Sequence, residues 1–229
     1  MSAVALRPRA LLFDLDGTLA DSFVAIAHAL NHALREACLP EHDLDWVRHH
    51  VGRGAIELVR DAVESGCDDA ARHGVGARFR AVYEEVFLAE TPPLPGVTEV
   101  LAFAAKRTRG NVAVISNKYE ALSRALLEHW GVARFVAAVV GPDTHGVRKP
   151  DPATVLPVLS EFGVAPAEAL LVGDMEVDAA TGRAAGVPVL GVRGEATTPE
   201  VLRAAGMVDV IASVRDLPAW LAAHGQGWG

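Results

Sequence analysis

Two aspartates stand two positions apart, directly after a short apolar run near the start of the sequence. Asp14 and Asp16 follow the run Ala10–Phe13, and the turn-forming pair Gly17-Thr18 comes next. Side chains at positions i and i+2 of an extended chain point to the same side, so both carboxylates can reach one pocket. Two negative charges in an apolar setting are unfavourable unless a cation or a proton compensates them. Taken alone, the pair fits either an acidic site that requires a positive partner or two aspartates of an ordinary turn.

Further polar groups stand after, or near, three later apolar runs. They are, in chain order, Ser116, Asn117, Lys149, Asp174 and Asp178. A serine hydroxyl can donate to a phosphoryl oxygen, a lysine can neutralise one, and carboxylate oxygens are the ligands that Mg²⁺ prefers. Each group alone is typical of a turn, a solvated loop or a helix cap. Their order along the chain is what indicates a shared site for phosphate and a metal ion.

Short apolar runs alternate with amphipathic helical patterns over most of the sequence. The runs predict strands buried on both faces, at residues 10–13, 112–115, 135–140, 169–172, 187–192 and 209–212. The patterns between them predict helices at residues 97–107, 119–130, 152–162, 177–185 and 199–205. Thr197 and Glu200 fit a capping box for the last helix, with Pro199 in its first turn. Strands that alternate with helices indicate an α/β fold with an open parallel sheet.

The stretch from residue 22 to residue 91 departs from this alternation, because it has helical periodicity and no convincing strand. Two sets of apolar residues each fall on one helical face: Phe23, Ile26, Ala27, Leu30 and Leu34, and then Phe79, Val82, Tyr83, Val86 and Phe87. The turn-rich segment 91–96 marks the exit from this stretch. We therefore predict an α/β core formed by residues 1–21 and 92–229, and an all-helical insertion formed by residues 22–91.

The composition limits the classes of partner. The chain has 229 residues, and 21 Lys+Arg against 29 Asp+Glu give it a formal net charge of -8. This charge has the wrong sign for a protein that binds nucleic acid by neutralising its phosphates. The sequence shows neither a signal-peptide core nor an apolar run of about 20 residues that could span a membrane. We expect a cytoplasmic protein, monomeric or homodimeric, that binds neither nucleic acid nor a membrane.

At the positions of the polar groups, the sequence resembles the haloacid dehalogenase superfamily. The four motifs of that family correspond to the segment Asp14 to Thr18, to Ser116, to Lys149 and to the segment Gly173 to Asp178. The resemblance extends from residue 11 to about residue 192. It implies a Rossmann-like core, a helical cap inserted after the first motif, and phosphoryl transfer through an aspartyl-phosphate.

The resemblance also implies roles for the acidic residues. Asp14 would attack phosphorus as the nucleophile, and Asp16 would protonate the leaving oxygen and later accept a proton from water. Mg²⁺ would be held by a carboxylate oxygen of Asp14, the backbone carbonyl of Asp16 and the side chain of Asp174. Asp178 would support these ligands without joining them.

Other residues are expected to contact the substrate. Ser116, Asn117 and Lys149 would bind the phosphoryl oxygens and spread their negative charge. In the cap, the segment 51–55 with its two glycines resembles a loop that related enzymes lower over the active site, and Arg53 would reach a substrate carboxylate or phosphate. An exposed arginine at a helix break is the alternative interpretation of Arg53.

The branch of the superfamily is suggested by several short segments. Asp16 favours phosphoester chemistry over dehalogenation, which has no alkoxide leaving group to protonate. Residues 22–91 contain no lysine, which excludes the relatives that cleave phosphonates through a cap lysine. Residues 19–22, 95–97 and 117–118 resemble the phosphoglycolate phosphatases and similar phosphatases of small metabolites. We therefore expect a Mg²⁺-dependent phosphatase whose partner is a small phosphorylated metabolite.

Three alternatives remain open on the sequence. A sugar-phosphate mutase of the same superfamily would use Asp14 and Asp16 but return the phosphoryl group to the substrate. A phosphate-binding module could retain the fold without turnover, although four intact motifs count against it. A dinucleotide-binding dehydrogenase fits the fold class, but acids replace the glycine-rich turn that it needs after the first strand.

Overall fold

One parallel sheet positions the site residues in this computed structural model, which describes residues 8–63 and 69–224 without the side chains of residues 69–71. Its strands are β1 (Ala10–Phe13), β2 (Val112–Ile115), β3 (Ala138–Val140), β4 (Ala169–Gly173), β5 (Val189–Val192) and β6 (Asp209–Ile211). They lie in the order β3-β2-β1-β4-β5-β6, and all neighbours are parallel. Because β1, β2, β4 and β5 are buried along their whole length, they form continuous apolar runs in the sequence.

The register of the sheet places the ends of three strands side by side. Phe13, the last residue of β1, pairs with Val114 of β2 and with Val172 of β4. The backbone N–H of Asp14 still donates to the carbonyl of Val172, at 2.9 Å. Side chains that follow these strands therefore converge at the carboxyl edge of the sheet, where ligand sites of open α/β sheets lie.

Helices pack on both faces of the sheet and also form a separate cap. In chain order they are α1 (Phe23–Glu36), α2 (Leu44–His50), α3 (Ala55–Ala62), α4 (Asp69–Glu90), α5 (Val97–Thr108), α6 (Glu120–His129), α7 (Leu156–Phe162), α8 (Glu176–Ala185), α9 (Pro199–Ala204) and α10 (Leu217–His224). Leu11 and Phe13 belong to a core cluster shared with α5, α6 and α10. Ala10 and Leu12 belong to a second cluster shared with α7, α8 and α9. This alternation of β1 residues between two cores confirms the predicted α/β fold.

The cap consists of helices α1 to α4, which all lie between β1 and α5 in the chain. Helix α1 packs along α4, and the predicted apolar faces bury residues such as Phe23 and Leu30 from α1 and Val82 and Phe87 from α4. The two connections between cap and core run side by side, since the N–H of Leu94 donates to the carbonyl of Leu19 at 2.8 Å. The predicted all-helical insertion is present, while its exact limits at residues 22 and 91 stay a prediction.

Several predicted boundaries differ from the structure. The strand predicted at 135–140 is shorter, because Ala133–Phe135 forms a 3-10 helix and β3 begins at Ala138. The strand predicted at 187–192 begins at Val189, after a proline whose nitrogen has no hydrogen to donate. The helix predicted at 152–162 is divided into a 3-10 helix, Pro152–Thr154, and α7.

The predicted capping box at α9 is wrong by one residue. Thr198 is the N-cap, and its hydroxyl accepts from the N–H of Val201 at 3.4 Å. Pro199 occupies the first helical position, which places the cap on the residue before it. The hydroxyl of Thr197 instead donates to the backbone carbonyl of Asp174 at 2.8 Å, so Thr197 supports the site rather than the helix.

None of the helices within the described ranges has both the length and the apolar character that a membrane crossing requires.

Candidate active site

A buried lysine joins two carboxylates at the carboxyl edge of the sheet. Asp14 follows β1 directly and is 4% exposed. The Nζ of Lys149 lies 2.7 Å from Oδ1 of Asp14 and 2.7 Å from Oδ1 of Asp178. The other oxygen of Asp178 accepts from the N–H of Met175 at 3.1 Å, at the start of α8. Both oxygens of Asp178 are therefore engaged, and they hold Lys149 beside Asp14.

Asp174 directly follows β4 and is fully buried, and hydrogen bonding from the described residues reaches one of its two carboxylate oxygens. Its Oδ1 accepts from the hydroxyl of Thr18 at 2.7 Å. Its Oδ2 has no hydrogen-bond partner among the described residues, which is unfavourable for a buried carboxylate oxygen. Gly17 has a φ of +85°, and a Cβ on it would stand 2.2 Å from this oxygen. The turn after β1 therefore requires glycine, because the chain passes against the Asp174 carboxylate.

The charges of the site fit a divalent cation. Oxygens of Asp14, Asp174 and Asp178 lie within 4.8 Å of one another. The site also contains Asp16, and its buried cations are Lys149 and one further lysine, Lys118, so two negative charges lack a buried cation among the described residues when all four carboxyl groups are ionised. A divalent cation at the orphaned Asp174 oxygen would neutralise them, and carboxylates are suitable ligands for Mg²⁺.

Burial and crowding perturb the titration of these groups. Burial raises the pKa of Asp14 to about 7 despite the opposing charge of Lys149, and Asp178 adds to the rise. Burial, together with repulsion from Asp14 and Asp178, raises the pKa of Asp174 well above its usual range. Burial would lower the pKa of Lys149, but its two carboxylate partners outweigh this effect and raise the pKa above its ordinary value. Lys149 therefore stays protonated, while Asp14 and Asp174 have too little positive charge beside them to stay ionised easily.

Asp16 is paired with a lysine that sequence reasoning did not assign to the site. The Nζ of Lys118 lies 2.9 Å from Oδ1 of Asp16. The same ammonium group donates to the hydroxyl of Tyr83, on cap helix α4, at 2.9 Å. Lys118 lies in the bend after β2, where its N–H donates to the Ser116 hydroxyl, so the alternation of a strand does not extend to it. Tyr83 gave no signal either, because its position fits an ordinary apolar helix face.

Ser116 and Asn117 follow β2 and are held by backbone contacts. The Ser116 hydroxyl accepts from the N–H of Lys118 at 3.1 Å. The Asn117 side chain accepts from the N–H of Lys149 at 2.8 Å and donates to the carbonyl of Gly52 at 2.9 Å. The Asn117 side chain therefore connects the loop that contains Lys149 to the cap loop that contains Gly52. The amide nitrogen of this side chain also donates to the carbonyl of Lys149 at 3.3 Å, so Asn117 has its backbone N–H group left for phosphate binding, while Ser116 still has a hydroxyl hydrogen to donate.

Arg53 is not brought to the site. Its guanidinium group forms an ion pair with Asp61 on α3, and 53% of the side chain is exposed. Its neighbours Gly52 and Gly54 line the cavity, but Arg53 itself does not. A nearby carboxylate in the cap thus pairs with Arg53 in this structure, and its contact with substrate stays a prediction.

A cavity of about 600 Å³ lies between the core and the cap. Asp14, Asp16 and Ser116 line it from the sheet, and Phe79 and Tyr83 line it from α4. Three cap arginines also line it: Arg60, Arg72 and Arg80. The site thus combines a buried nucleophile candidate, fixed cations and room for a small anionic molecule.

Comparisons with known proteins agree with this geometry. Residues 11–192 match the family described as haloacid dehalogenase-like hydrolase. The phosphoglycolate phosphatase of Rhodospirillum rubrum is 40% identical over 222 residues, which cover 93% of this chain and 91% of that protein. The phosphoglycolate phosphatase of Aquifex aeolicus is 39% identical over 178 residues, covering 78% of this chain and 81% of the relative.

Solved structures show the same fold. A predicted phosphoglycolate phosphatase from Haemophilus somnus superposes with a TM-score of 0.85 at 25% identity, covering 95% of this chain and 99% of that one. The sheet order, the inserted helical cap and the sequence match over residues 11–192 all indicate the same family. This chain belongs to the haloacid dehalogenase-like hydrolase family.

Proposed function

We propose that this protein is a Mg²⁺-dependent phosphomonoester hydrolase that acts on a small phosphorylated metabolite through an aspartyl-phosphate on Asp14. The observation that carries the proposal is the buried Asp14 carboxylate, held by Lys149 beside the orphaned oxygen of Asp174. Phosphoglycolate is the first candidate substrate, because the relatives from Rhodospirillum rubrum and Aquifex aeolicus are named phosphoglycolate phosphatases. The net charge of -8 favours a small substrate over nucleic acid.

The reaction consists of two displacements at phosphorus. In the first, an oxygen of Asp14 forms a bond to phosphorus, the bond from phosphorus to the ester oxygen breaks, and Asp16 gives its proton to the leaving oxygen. In the second, a water oxygen attacks phosphorus and Asp16 accepts one of its protons. The bond between Asp14 and phosphorus then breaks and inorganic phosphate leaves. The net reaction converts a phosphate monoester and water into an alcohol and phosphate.

The cations and donors around Asp14 stabilise the transferred group. Lys149 is fixed by Asp178 at 2.7 Å, so it can face the phosphoryl oxygens without moving. The Ser116 hydroxyl and the backbone N–H of Asn117 can donate to the same oxygens. Such fixed donors are effective in phosphoryl transfer, because they need no rearrangement when charge develops on the phosphoryl oxygens.

The proposed Mg²⁺ ligands are a carboxylate oxygen of Asp14, the backbone carbonyl of Asp16 and the side chain of Asp174. When bound, the ion supplies positive charge that offsets the charge of the phosphoryl group. Both oxygens of Asp178 already accept from Lys149 and Met175, which supports its assignment to a role outside the direct ligands.

The test is a phosphate-release assay with phosphoglycolate, nucleotides, pyrophosphate and sugar phosphates, with Mg²⁺ or with EDTA. We expect Mg²⁺-dependent release from at least one small monoester, loss of release with Asp14→Asn, and normal release with Asp45→Asn, an exposed control on α2. Conversion of a sugar phosphate to its isomer with little free phosphate would instead identify a mutase. No turnover of any compound would leave only phosphate binding.

A further inference from the structure

The buried ammonium group of Lys118 connects the cap to Asp16, the proposed proton-transfer residue. Only 7% of the Lys118 side chain is exposed. In the described part of the chain, its ammonium group contacts the Asp16 carboxylate at 2.9 Å, the Tyr83 hydroxyl at 2.9 Å and the Tyr83 ring, whose centroid lies 4.8 Å away. The proposed phosphoryl transfer already has Lys149 as the cation beside Asp14. Lys118 pairs with Asp16 instead, so its role in the site needs a separate explanation.

The contacts of Lys118 restrict how Asp16 can point. A carboxyl group can rotate about its last bond, and general acid catalysis depends on presenting the acidic proton to the leaving oxygen within hydrogen-bonding reach. The ammonium group has no lone pair and can only donate, and its Nζ stands 2.9 Å from Oδ1 of Asp16, so the ion pair favours one orientation of the carboxyl group. Lys118 therefore restricts the orientation of Asp16 relative to the cavity that Asp16 lines.

We propose that Lys118 is a positioning residue that holds Asp16 for proton transfer, and that Tyr83 of the cap keeps Lys118 in place. The inference rests on the proposed phosphomonoester hydrolysis, in which Asp16 gives its proton to the leaving oxygen.

The position of Tyr83 extends the inference to the cap. Tyr83 lies on α4, and a neighbouring contact on the same helix, with the Arg80 guanidinium 5.5 Å from the Tyr119 ring centroid, joins α4 to the start of α6. Tyr83 reaches Lys118 only when α4 is seated on the core in this way. The cap thus supplies the hydroxyl group that holds Lys118 beside Asp16.

The experiment compares two leaving groups in Lys118→Met, which keeps the length of the side chain and removes its charge. An alkoxide leaving group, as in phosphoglycolate, requires protonation, whereas p-nitrophenolate leaves without it. The ratio of kcat/KM is the appropriate measure, because it reports the steps up to departure of the leaving group. Lys106→Met, on the exposed face of α5, is the matched control. Circular dichroism and thermal unfolding verify that each variant folds.

We expect Lys118→Met to lower kcat/KM for phosphoglycolate by about 100-fold, within the range of general acid catalysis, and to lower it for p-nitrophenyl phosphate by less than about 5-fold. If phosphoglycolate is not a substrate, the alkyl phosphate found active in the release assay replaces it. Lys106→Met changes neither value. Equal losses on both substrates would overturn the inference, because they would indicate that Lys118 binds the phosphoryl group or only supports the fold.

Tyr83→Phe provides a second test if Lys118→Met does not fold. It keeps the ring beside Lys118 and removes only the hydroxyl, so we expect a loss of about 10-fold that again falls mainly on the alkyl phosphate. An unchanged ratio between the two substrates in Tyr83→Phe would contradict the role of the cap. If the wild-type protein hydrolyses neither substrate, the proposed function itself fails, and this result is distinct from an active enzyme whose variants show no preference.

Discussion

The ammonium group of Lys149 lies 2.7 Å from Oδ1 of Asp178, a residue 29 positions further along the chain. Asp178 belongs to the first turn of α8, where its second oxygen also accepts from the N–H of Met175. One side chain thus fixes both the start of a helix and the cation beside Asp14. The position of Lys149 in front of the proposed nucleophile depends on how α8 begins.

This dual role predicts the effect of Asp178→Asn. An amide keeps an acceptor for one partner but removes the charge that holds Lys149. We expect the free energy of unfolding to fall by about 1–3 kcal/mol, measured by urea denaturation. We also expect kcat to fall by about 10–100-fold, as for other residues that orient a site through its direct ligands. A variant with wild-type stability and wild-type kcat would show that neither contact matters.

Asp174 is predicted to be unfavourable for folding in the absence of metal. Burial and the neighbouring carboxylates raise its pKa, so its ionised form destabilises the folded state at neutral pH. Asp174→Asn keeps an acceptor for the Thr18 hydroxyl and removes the charge. In EDTA at pH 8, we expect the variant to be more stable than the wild type by about 1–3 kcal/mol.

Addition of Mg²⁺ should then reverse the order of the two proteins. The wild type gains stability by binding the ion, while Asp174→Asn gains little. Thermal unfolding with and without Mg²⁺ measures both effects. A metal-free variant that is less stable than the wild type would contradict the assignment of Asp174 as an uncompensated charge.

The pH dependence of stability should report Asp14. Its folded-state pKa is raised to about 7, compared with about 3.9 for an unfolded aspartate. A raised carboxyl pKa means that the folded state binds the proton more tightly, so the stabilisation is complete below pH 4 and is lost as the pH rises to 7. Over this range, metal-free wild type should lose roughly 2–4 kcal/mol relative to Asp14→Asn. Parallel stability curves for the two proteins would show that Asp14 has an ordinary pKa.

Gly17 should not tolerate even alanine. A Cβ there would meet the Asp174 carboxylate at 2.2 Å, and the φ of +85° is itself unfavourable for other residues. Gly163 provides a control, because its φ is +62° but its Cβ would have nothing within 4 Å. We expect Gly163→Ala to lose about 1 kcal/mol of stability with full activity. Gly17→Ala should lose activity by at least about 100-fold, because a displaced Asp174 disturbs the site, and similar activities in both variants would contradict this.

The sequence was sufficient to predict the groups that depend on the sheet. Asp14, Ser116 and Asp174 each follow an apolar run that forms a buried parallel strand. The carboxyl ends of such strands lie at one edge of the sheet, so order along the chain predicts proximity in space. The register Phe13 to Val172 realises this proximity.

The contacts that depend on the orientation of the cap could not be predicted in the same way. Tyr83 has the spacing of a core residue, and only the packing of α4 brings its hydroxyl to Lys118. Likewise, the sequence predicts that Arg53 reaches the substrate, but its partner in the structure depends on where α3 places Asp61. Helical periodicity identifies which face is buried, but it does not specify which residue of another segment that face meets.

The most direct test of the proposed aspartyl-phosphate is to trap the phosphorylated protein. The enzyme is mixed with substrate and Mg²⁺, quenched in acid within the turnover time, digested and analysed by mass spectrometry, with a hydroxylamine-treated sample in parallel. We expect one phosphoryl group on the peptide that contains Asp14, removed by hydroxylamine and absent from Asp14→Asn. Rapid turnover with no phosphorylated peptide, together with an active Asp14→Asn variant, would contradict it.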